Sequence, residues 1–365
     1  MKSRNLSPLF SLAIVCMITQ ACGGGSGGNS TASTVPPVAQ TCDNGATNHP
    51  DCSSIPAKLQ TSIVMPPYAT GSEDLVVFNY FNDLRTSLGL GKLSYSAELD
   101  KASFNHSTYI KLNQVGGFSE TIGRPGFTGA TLADRVIQAG YTDKITGLGV
   151  SGGLAFGNSK LGALKSLLNS VYHRRILFQQ MWTEVGSSWM CISVDNVNCN
   201  RGVNGEVLPN FLSVTVAHKN NVLQRNGSDF FLTYPMDKDT DAPISMIGET
   251  TNPFPQYPDG LVWGKVGYPV EVAVEDSQTI SVQTFTITED GSTSPLAATL
   301  MTSQSDPNRL ITKNEAFLIA NTALKPMTKY TVRFVGAASI PGSKIVRSID
   351  KTISFVTNEY LVPRH

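Results

Sequence analysis

Clustered charge of either sign is missing from this chain. Its 28 Lys and Arg balance 28 Asp and Glu to a formal net charge of +0, with no basic block and no acidic tail. Nucleic-acid binding rests on grouped Lys and Arg, so that class of partner is not expected. Cysteine is sparse, with six residues and no C-x-x-C spacing, which leaves a structural zinc site without its usual ligands. Histidine is sparser still, with five. The apolar run at residues 12–18 is shorter than the roughly 20 residues a membrane-spanning helix needs. What remains, 41% hydrophobic and 15% charged residues, is the composition of an ordinary globular protein.

Lys2 and Arg4 precede that short apolar run, and Thr19-Gln20-Ala21-Cys22 follows it. A basic start, a brief apolar core and small residues before a cut read as a secretory signal. Cys22 then opens a Gly/Ser tether that begins Gly23-Gly24-Gly25-Ser26. This arrangement resembles a bacterial lipoprotein, with Thr19 standing where Leu is commoner. The resemblance implies a lipid on Cys22 after removal of residues 1–21, and Gly23 rather than Asp after the cysteine implies the outer membrane. The expected localisation is therefore the bacterial cell envelope, with the lipid anchor in its membrane. Residues 22–61 hold mostly Gly, Ser, Thr, Pro and Asn. Such a segment buries too little apolar surface to offset its ordering entropy, so a flexible stalk is expected.

Once Cys16 leaves with the signal and Cys22 carries lipid, four cysteines remain: Cys42, Cys52, Cys191 and Cys199. An exported protein meets an oxidising compartment. Proximity alone selects Cys42–Cys52 and Cys191–Cys199 from the three connectivities that four cysteines allow.

Residues 62–234 read as a first folded domain. Ser72 caps a helix with Leu75, Phe78, Phe81, Leu84 and Leu88 on one face, and Gly89 and Gly91 stop it. Ser96 caps a second helix whose inward stripe runs through Leu99, Ala102, His106 and Tyr109. Residues 118–129 form a Gly/Pro-rich loop with Glu120 near its start. Thr131 and Asp134 make a capping-box-like pair for a third helix. Residues 141–158 read as a second Gly-rich loop. Ser159 caps a fourth helix with Leu161, Leu164, Leu168 and Tyr172 on one face, Lys165 on or beside it, and His173 and Arg174 at its end. After Trp182 the period changes to short β-rich runs at 188–194, 211–218 and 229–234. Helices followed by strands predict an α+β layered domain.

Several of these residues, in this order, carry a resemblance. They are Asn82, Arg85, Gly89, Leu90 and Leu93; Ala102, His106 and Ser107; Asp134, Arg135 and Ala139-Gly140; the run from Leu168-Asn169-Ser170 through His173 to Leu177; and Glu184-Val185-Gly186. Residues 74–218 resemble the CAP superfamily (cysteine-rich secretory proteins, antigen 5, pathogenesis-related 1). The family implies an α-β-α sandwich with a central cleft, where competent members hold two histidines and two acidic residues able to bind a divalent metal. His173 matches the second histidine. The first falls in the turn Phe118-Ser119-Glu120, where Glu120 stands in its place or Glu120 is kept from a His-x-Glu pattern. Ser151 occupies one acidic position and Lys165 the other. A cleft of His106, Glu120, Ser151, Lys165 and His173 is expected, with an ion pair between Glu120 and Lys165. It has lost two negative charges and gained an ammonium, so no metal, no cofactor and no catalytic residue is assigned to it.

Gly149-Val150-Ser151-Gly152-Gly153 fits G-x-S-x-G, the nucleophile elbow of hydrolases. That elbow follows a buried strand and opens a helix. Residues 141–148 make a poor core strand and the next helix starts only near Ser159, so a Gly-rich loop is the expectation. His173 and His218 are the bases such a serine would have.

Residues 235–262 carry Pro235, Pro243, Pro253, Pro255 and Pro258 and read as a linker. Alternating runs at 269–274, 280–288, 297–301, 316–319, 329–335 and 351–355 then predict an all-β sandwich over 263–361. The stretch Leu324-Lys325-Pro326 to Val332 resembles bacterial immunoglobulin-like modules. The chain is read as an exported, lipid-anchored binding module for a small-molecule, lipid, glycan or cell-wall ligand. A hydrolase using Ser151 or a His106/Glu120/His173 cleft is one alternative, and an envelope-structural or adhesion protein is another.

Overall fold

The computed structural model describes residues 56–141, 149–157, 159–191, 210–218, 222–257, 262–343 and 346–359. The expected signal peptide, most of the stalk, and Cys22, Cys42, Cys52 and Cys199 lie outside these residues. The end of the expected stalk is packed. Lys58 and Arg225 exchange backbone hydrogen bonds of 2.8 and 3.0 Å, and the Gln60 amide donates to Lys92 O and Thr183 O.

Each helix of the first unit but the last begins where a side chain can accept from its free N–H groups. Ser72 caps α1 (Glu73–Ser87), Ser96 caps α2 (Ala97–Asn113) and Ser159 caps α4 (Lys160–Leu168). Thr131 and Asp134 form a reciprocal capping box at α3 (Leu132–Gln138). The helix expected to run from Ser159 through Tyr172 is broken at Asn169. A separate α5 spans Tyr172–Phe178, and the residue before it gives no side-chain cap.

The strands are β1 (Ser94–Tyr95), β2 (Gly149–Gly157), β3 (Glu184–Cys191) and β4 (Asn210–His218), in the order β1-β3-β4-β2. β2 is the main departure from expectation: residues 149–157 pair along their whole length with β4 and are not a loop. Glycine hides this strand in the sequence, but the packing needs glycine there. A Cβ on Gly152 would lie 2.6 Å from Val214 O, and one on Gly153 3.1 Å from Leu167. The G-x-S-x-G pattern therefore sits inside a strand, without the turn into a helix that a nucleophile elbow requires.

Alternation along the strands sends successive side chains to opposite faces. Val150 packs with Leu99, Leu132 and Val136, so one face carries α2 and α3. Ala155, Val185, Leu212 and Val214 pack with Phe78, Leu164 and Leu167, so the other carries α1, α4 and α5. This is an α-β-α sandwich.

The remaining strands form two further sheets: β5 (Phe231–Tyr234), β6 (Asp239–Ala242), β7 (Val270–Val274), β8 (Thr279–Glu289), β9 (Ala298–Thr302), β10 (Glu315–Ala320), β11 (Lys329–Ser339) and β12 (Val346–Thr357). Their orders are β5-β7-β10-β9 and β6-β12-β11-β8. Val270, Val272, Phe317, Ile287, Phe334 and Phe355 fill one core between them. β5 falls within the expected span of the first domain and β6 within the expected linker, yet both belong to these sheets, through β7 and β12.

The two units share that apolar core, and α5 is where they lock. Arg174 is fully buried, its guanidinium 4.7 Å from the Tyr234 ring and 4.8 Å from the Tyr268 ring. It donates to Leu168 O and to Pro269 O, each at 2.6 Å. Tyr172 donates to Asp306 at 2.5 Å, and Arg175 pairs with Glu315.

Candidate functional site

The expected cleft residues divide between the two faces of the sheet. On the α2/α3 face, His106 is 2% exposed and its Nδ1 lies 2.9 Å from Glu120 Oε1, while Nε2 lies 3.0 Å from Gly117 O. Both ring partners are acceptors, so the neutral ring donates to only one of them at a time. Burial, helped by the Arg135 guanidinium, holds the His106 pKa below its ordinary value against the pull of Glu120.

Glu120 is the hub of this cluster. It accepts from Thr128 N at 2.6 Å and Gly129 N at 3.3 Å, and the Thr128 hydroxyl donates to it as well. Arg135 Nε stands 3.8 Å away. Burial by itself would raise the carboxyl, but the His106 and Thr128 hydrogen bonds and the Arg135 charge together lower it. Burial also brings Arg135 down to about 10. Every named contact of Glu120 ties down the 118–129 loop, α2 or α3, so the cluster is a structural knot with its acceptors occupied.

On the opposite face, His173 Nδ1 lies 3.0 Å from both Ser170 Oγ and Glu249 Oε2. The Glu249 carboxylate also accepts from the backbone N–H groups of Val171, Tyr172 and His173 at 2.7 to 3.1 Å. Glu249, in the segment expected to be a linker, thus caps α5, whose own sequence offers no cap. Ser151 points to this same face. A Cβ on Gly153 would be 3.3 Å from His173 Cδ2, and one on Gly149 would be 2.1 Å from His218 Nε2. Ser151 therefore lies along the strand between positions overlain by two histidines. It is 4% exposed and its Oγ has no partner among the described residues. His218 stacks on Trp182, its Nδ1 is also unpartnered, and burial lowers its pKa.

Lys165 joins neither group. Its ammonium is 3.5 Å from Asp241 Oδ2 and 5.9 Å from the Tyr80 ring, at a hollow of about 140 Å³ lined also by Tyr234, Tyr268 and Asp239. The expected Glu120–Lys165 ion pair is not formed, because α4 and the 118–129 loop lie on opposite sides of the sheet. Nor do His106 and His173 share a pocket, so the expected cleft of five residues is not one site. Among the described residues no group of three or more His, Cys, Asp or Glu side chains is placed to hold a metal ion. Cys191 is buried, and Cys199 lies outside the described residues.

Sequence reasoning missed Glu249, Asp241 and the tyrosines around Lys165. No local signal marks them, because each reaches its partner from a distant segment.

A three-layer α-β-α unit fused to two packed β-sheets defines the class. The description "Cysteine-rich secretory protein family" (CAP) matches residues 78–200, about a third of the chain. This supports, over that span, the resemblance drawn from the sequence. A comparison with curated proteins gives no match. Solved structures similar to this chain include the following two. An outer surface protein from Borrelia burgdorferi is 14% identical with a TM-score of 0.31, over 42% of this chain and 97% of that one. An extracellular protein containing a SCP domain from Bacillus anthracis is 20% identical with a TM-score of 0.30, over 40% of each chain. Among the described residues no helix is long and apolar enough to cross a membrane.

Proposed function

We propose that this protein is an exported, lipid-anchored binding module of the CAP type. Its head takes a glycan or cell-wall fragment, the Gly/Ser tether sets that head off from the membrane, and its two β-sheets are read as an immunoglobulin-like sandwich. The export signal, Cys22 and the Gly/Ser tether support the anchoring. One observation carries the binding reading: Lys165, Asp241 and the half-buried Tyr80 stand at a hollow of about 140 Å³, whereas the His106–Glu120 and His173–Glu249 pairs are buried and engaged with each other and with backbone. An aromatic ring beside a cation and carboxylates suits a polyhydroxylated ligand, which offers apolar C–H faces and hydroxyls together.

The test is co-sedimentation of the mature protein with isolated peptidoglycan, together with a glycan array. Lys165→Ala and Tyr80→Ala are expected to weaken binding at least tenfold. Unchanged binding in both variants overturns the reading.

One observation favours a second reading, a hydrolase. The Ser151 Oγ has no partner among the described residues, and His173 of α5, which overlies the neighbouring Gly153, is held at Nδ1 by Glu249, two elements that a Ser-His-carboxylate relay uses. Labelling by a fluorophosphonate that disappears in Ser151→Ala decides for it; absence of labelling decides against it.

A further inference from the structure

At the junction of the two units, away from Lys165, lies a cavity of about 420 Å³. That volume is within the usual range for small-molecule sites, roughly 300–1,000 Å³. The end of α5 and residues 179–181 form one wall, β5 and β7 another, and residues 312–315 a third.

The polar groups of this cavity are unbalanced in one direction. Glu271 is 1% exposed and its Oε2 has no hydrogen-bond partner among the described residues. Gln180 is 2% exposed. Its amide N–H donates to Val274 O at 2.8 Å, which fixes the orientation and leaves Oε1 as a second unpartnered acceptor. Asp276 adds a carboxylate whose Oδ1 accepts only a 3.1 Å bond from Asn314 among the contacts of the described residues. A buried acceptor left unmet is destabilising. Arg175 and Lys313 are also in the wall; Glu315 engages Arg175, and Lys313 is exposed. Phe178, Phe230 and Leu232 complete the lining with apolar surface.

We propose that this cavity binds a small organic cation, a primary amine or guanidine. Its N–H groups face Glu271, Gln180 and Asp276, and its carbon body lies along Phe178, Phe230 and Leu232. A single metal ion fits poorly, because it needs several oxygens at about 2.3–2.6 Å and no group of three acidic or histidine side chains among the described residues is close enough to share one. An amine or guanidine supplies N–H donors to a cavity with acceptors left unmet, and gains from aromatic faces.

The protonation of the empty cavity agrees. Burial raises the Glu271 carboxyl to about 8, with Glu315 adding to the rise and Arg174 and Arg175 opposing it. Burial raises Asp276 to about 7, helped by Glu275 and Glu315 and opposed by Arg175 and Arg85. A cation entering beside them displaces protons, so its binding strengthens as pH rises.

The test is calorimetric titration of the intact mature protein with n-butylamine and agmatine, using n-butanol and calcium chloride as controls. The amines are expected to bind, at least tenfold more tightly at pH 8.5 than at pH 6, and butanol and calcium are not. Glu271→Gln is expected to weaken amine binding at least tenfold and to flatten its pH dependence, with an unchanged circular dichroism spectrum. Asp276→Asn serves as the second variant, and Lys165→Ala should leave amine binding intact whatever it does to glycans. No amine binding at 10 mM (about a weak fragment's affinity), equal affinity for butanol, calcium binding instead, or wild-type affinity in both acidic-residue variants overturns the proposal.

Discussion

Glu249 Oε2 stands 3.0 Å from His173 Nδ1, and the same carboxylate accepts the first backbone N–H groups of α5. One side chain from the segment after β6 thus completes a helix of the α-β-α unit and orients its histidine. Arg174, between Tyr234 and Tyr268, makes the reverse connection from α5 into the β-sheets. The run from Leu168 to Leu177 therefore serves here as the bolt between two units.

Removing the bolt's carboxylate should be costly. Glu249→Ala strands several buried N–H groups and a buried imidazole, a loss on the order of 3 kcal/mol. Glu249→Gln keeps an acceptor and should lose less. Urea unfolding measures both. If Glu249→Ala unfolds at the wild-type midpoint, the capping role is wrong.

The α2/α3 knot predicts acid sensitivity of a stated sign. The folded pKa of His106 is lowered, chiefly by burial, so the stability it contributes is full above its ordinary value near 6.5 and falls as pH drops below it. His218, also lowered by burial, acts in the same direction. Glu120, lowered on balance by its hydrogen bonds and Arg135, adds a loss that begins below its ordinary value near 4.5. The two shares are read as differences from variants, because carboxyls elsewhere oppose them. The margin by which the wild-type melting temperature exceeds that of His106→Gln should narrow as pH falls from 7 to 5. Glu120→Ala, which leaves Arg135 buried without its carboxylate, should cost about 3–5 kcal/mol at pH 7.

The junction cavity predicts the opposite slope. Glu271 and Asp276 have raised folded pKa values, about 8 and about 7. Their contribution is full below the ordinary carboxyl range and is lost as pH rises through those values. Glu271→Gln removes one ionising group, so its melting temperature should exceed that of the wild type at pH 8.5 and approach it at pH 4.5. A difference that does not change with pH would mean that Glu271 ionises as readily folded as unfolded.

Much of the fold is legible in the sequence because it is written locally. Ser72, Ser96, Thr131 and Ser159 each stand where a helix begins, and the alternating runs after residue 263 match β7 to β12 closely. β2 is hidden because its packing demands glycine, which removes the alternation that marks a strand. The site is less legible for a different reason. His106, Glu120 and His173 stand out in the sequence, but whether two residues share a pocket depends on which face of the sheet each occupies. Glu249, Glu271 and Asp241 reach their partners from far along the chain, and no spacing encodes such contacts.

Gly186 tests the sandwich itself. It lies in β3 directly under the start of α2, where an added Cβ would sit 2.2 Å from Asp100 N and 2.4 Å from Leu99 C. Both obstacles are backbone, so no side chain can swing aside. α2 is held there by Ser187 N donating to Asp100 Oδ1 at 2.6 Å and by Ser103 bonding Thr215 at 2.9 Å. Gly186→Ala must push the helix off the sheet and is expected to cost about 3 kcal/mol. For Gly149→Ala the three nearest atoms all belong to the His218 ring, a side chain that can rotate, so it should cost less. The urea midpoint of Gly186→Ala should therefore lie below that of Gly149→Ala. The reverse order would place α2 farther from β3 than the described structure has it.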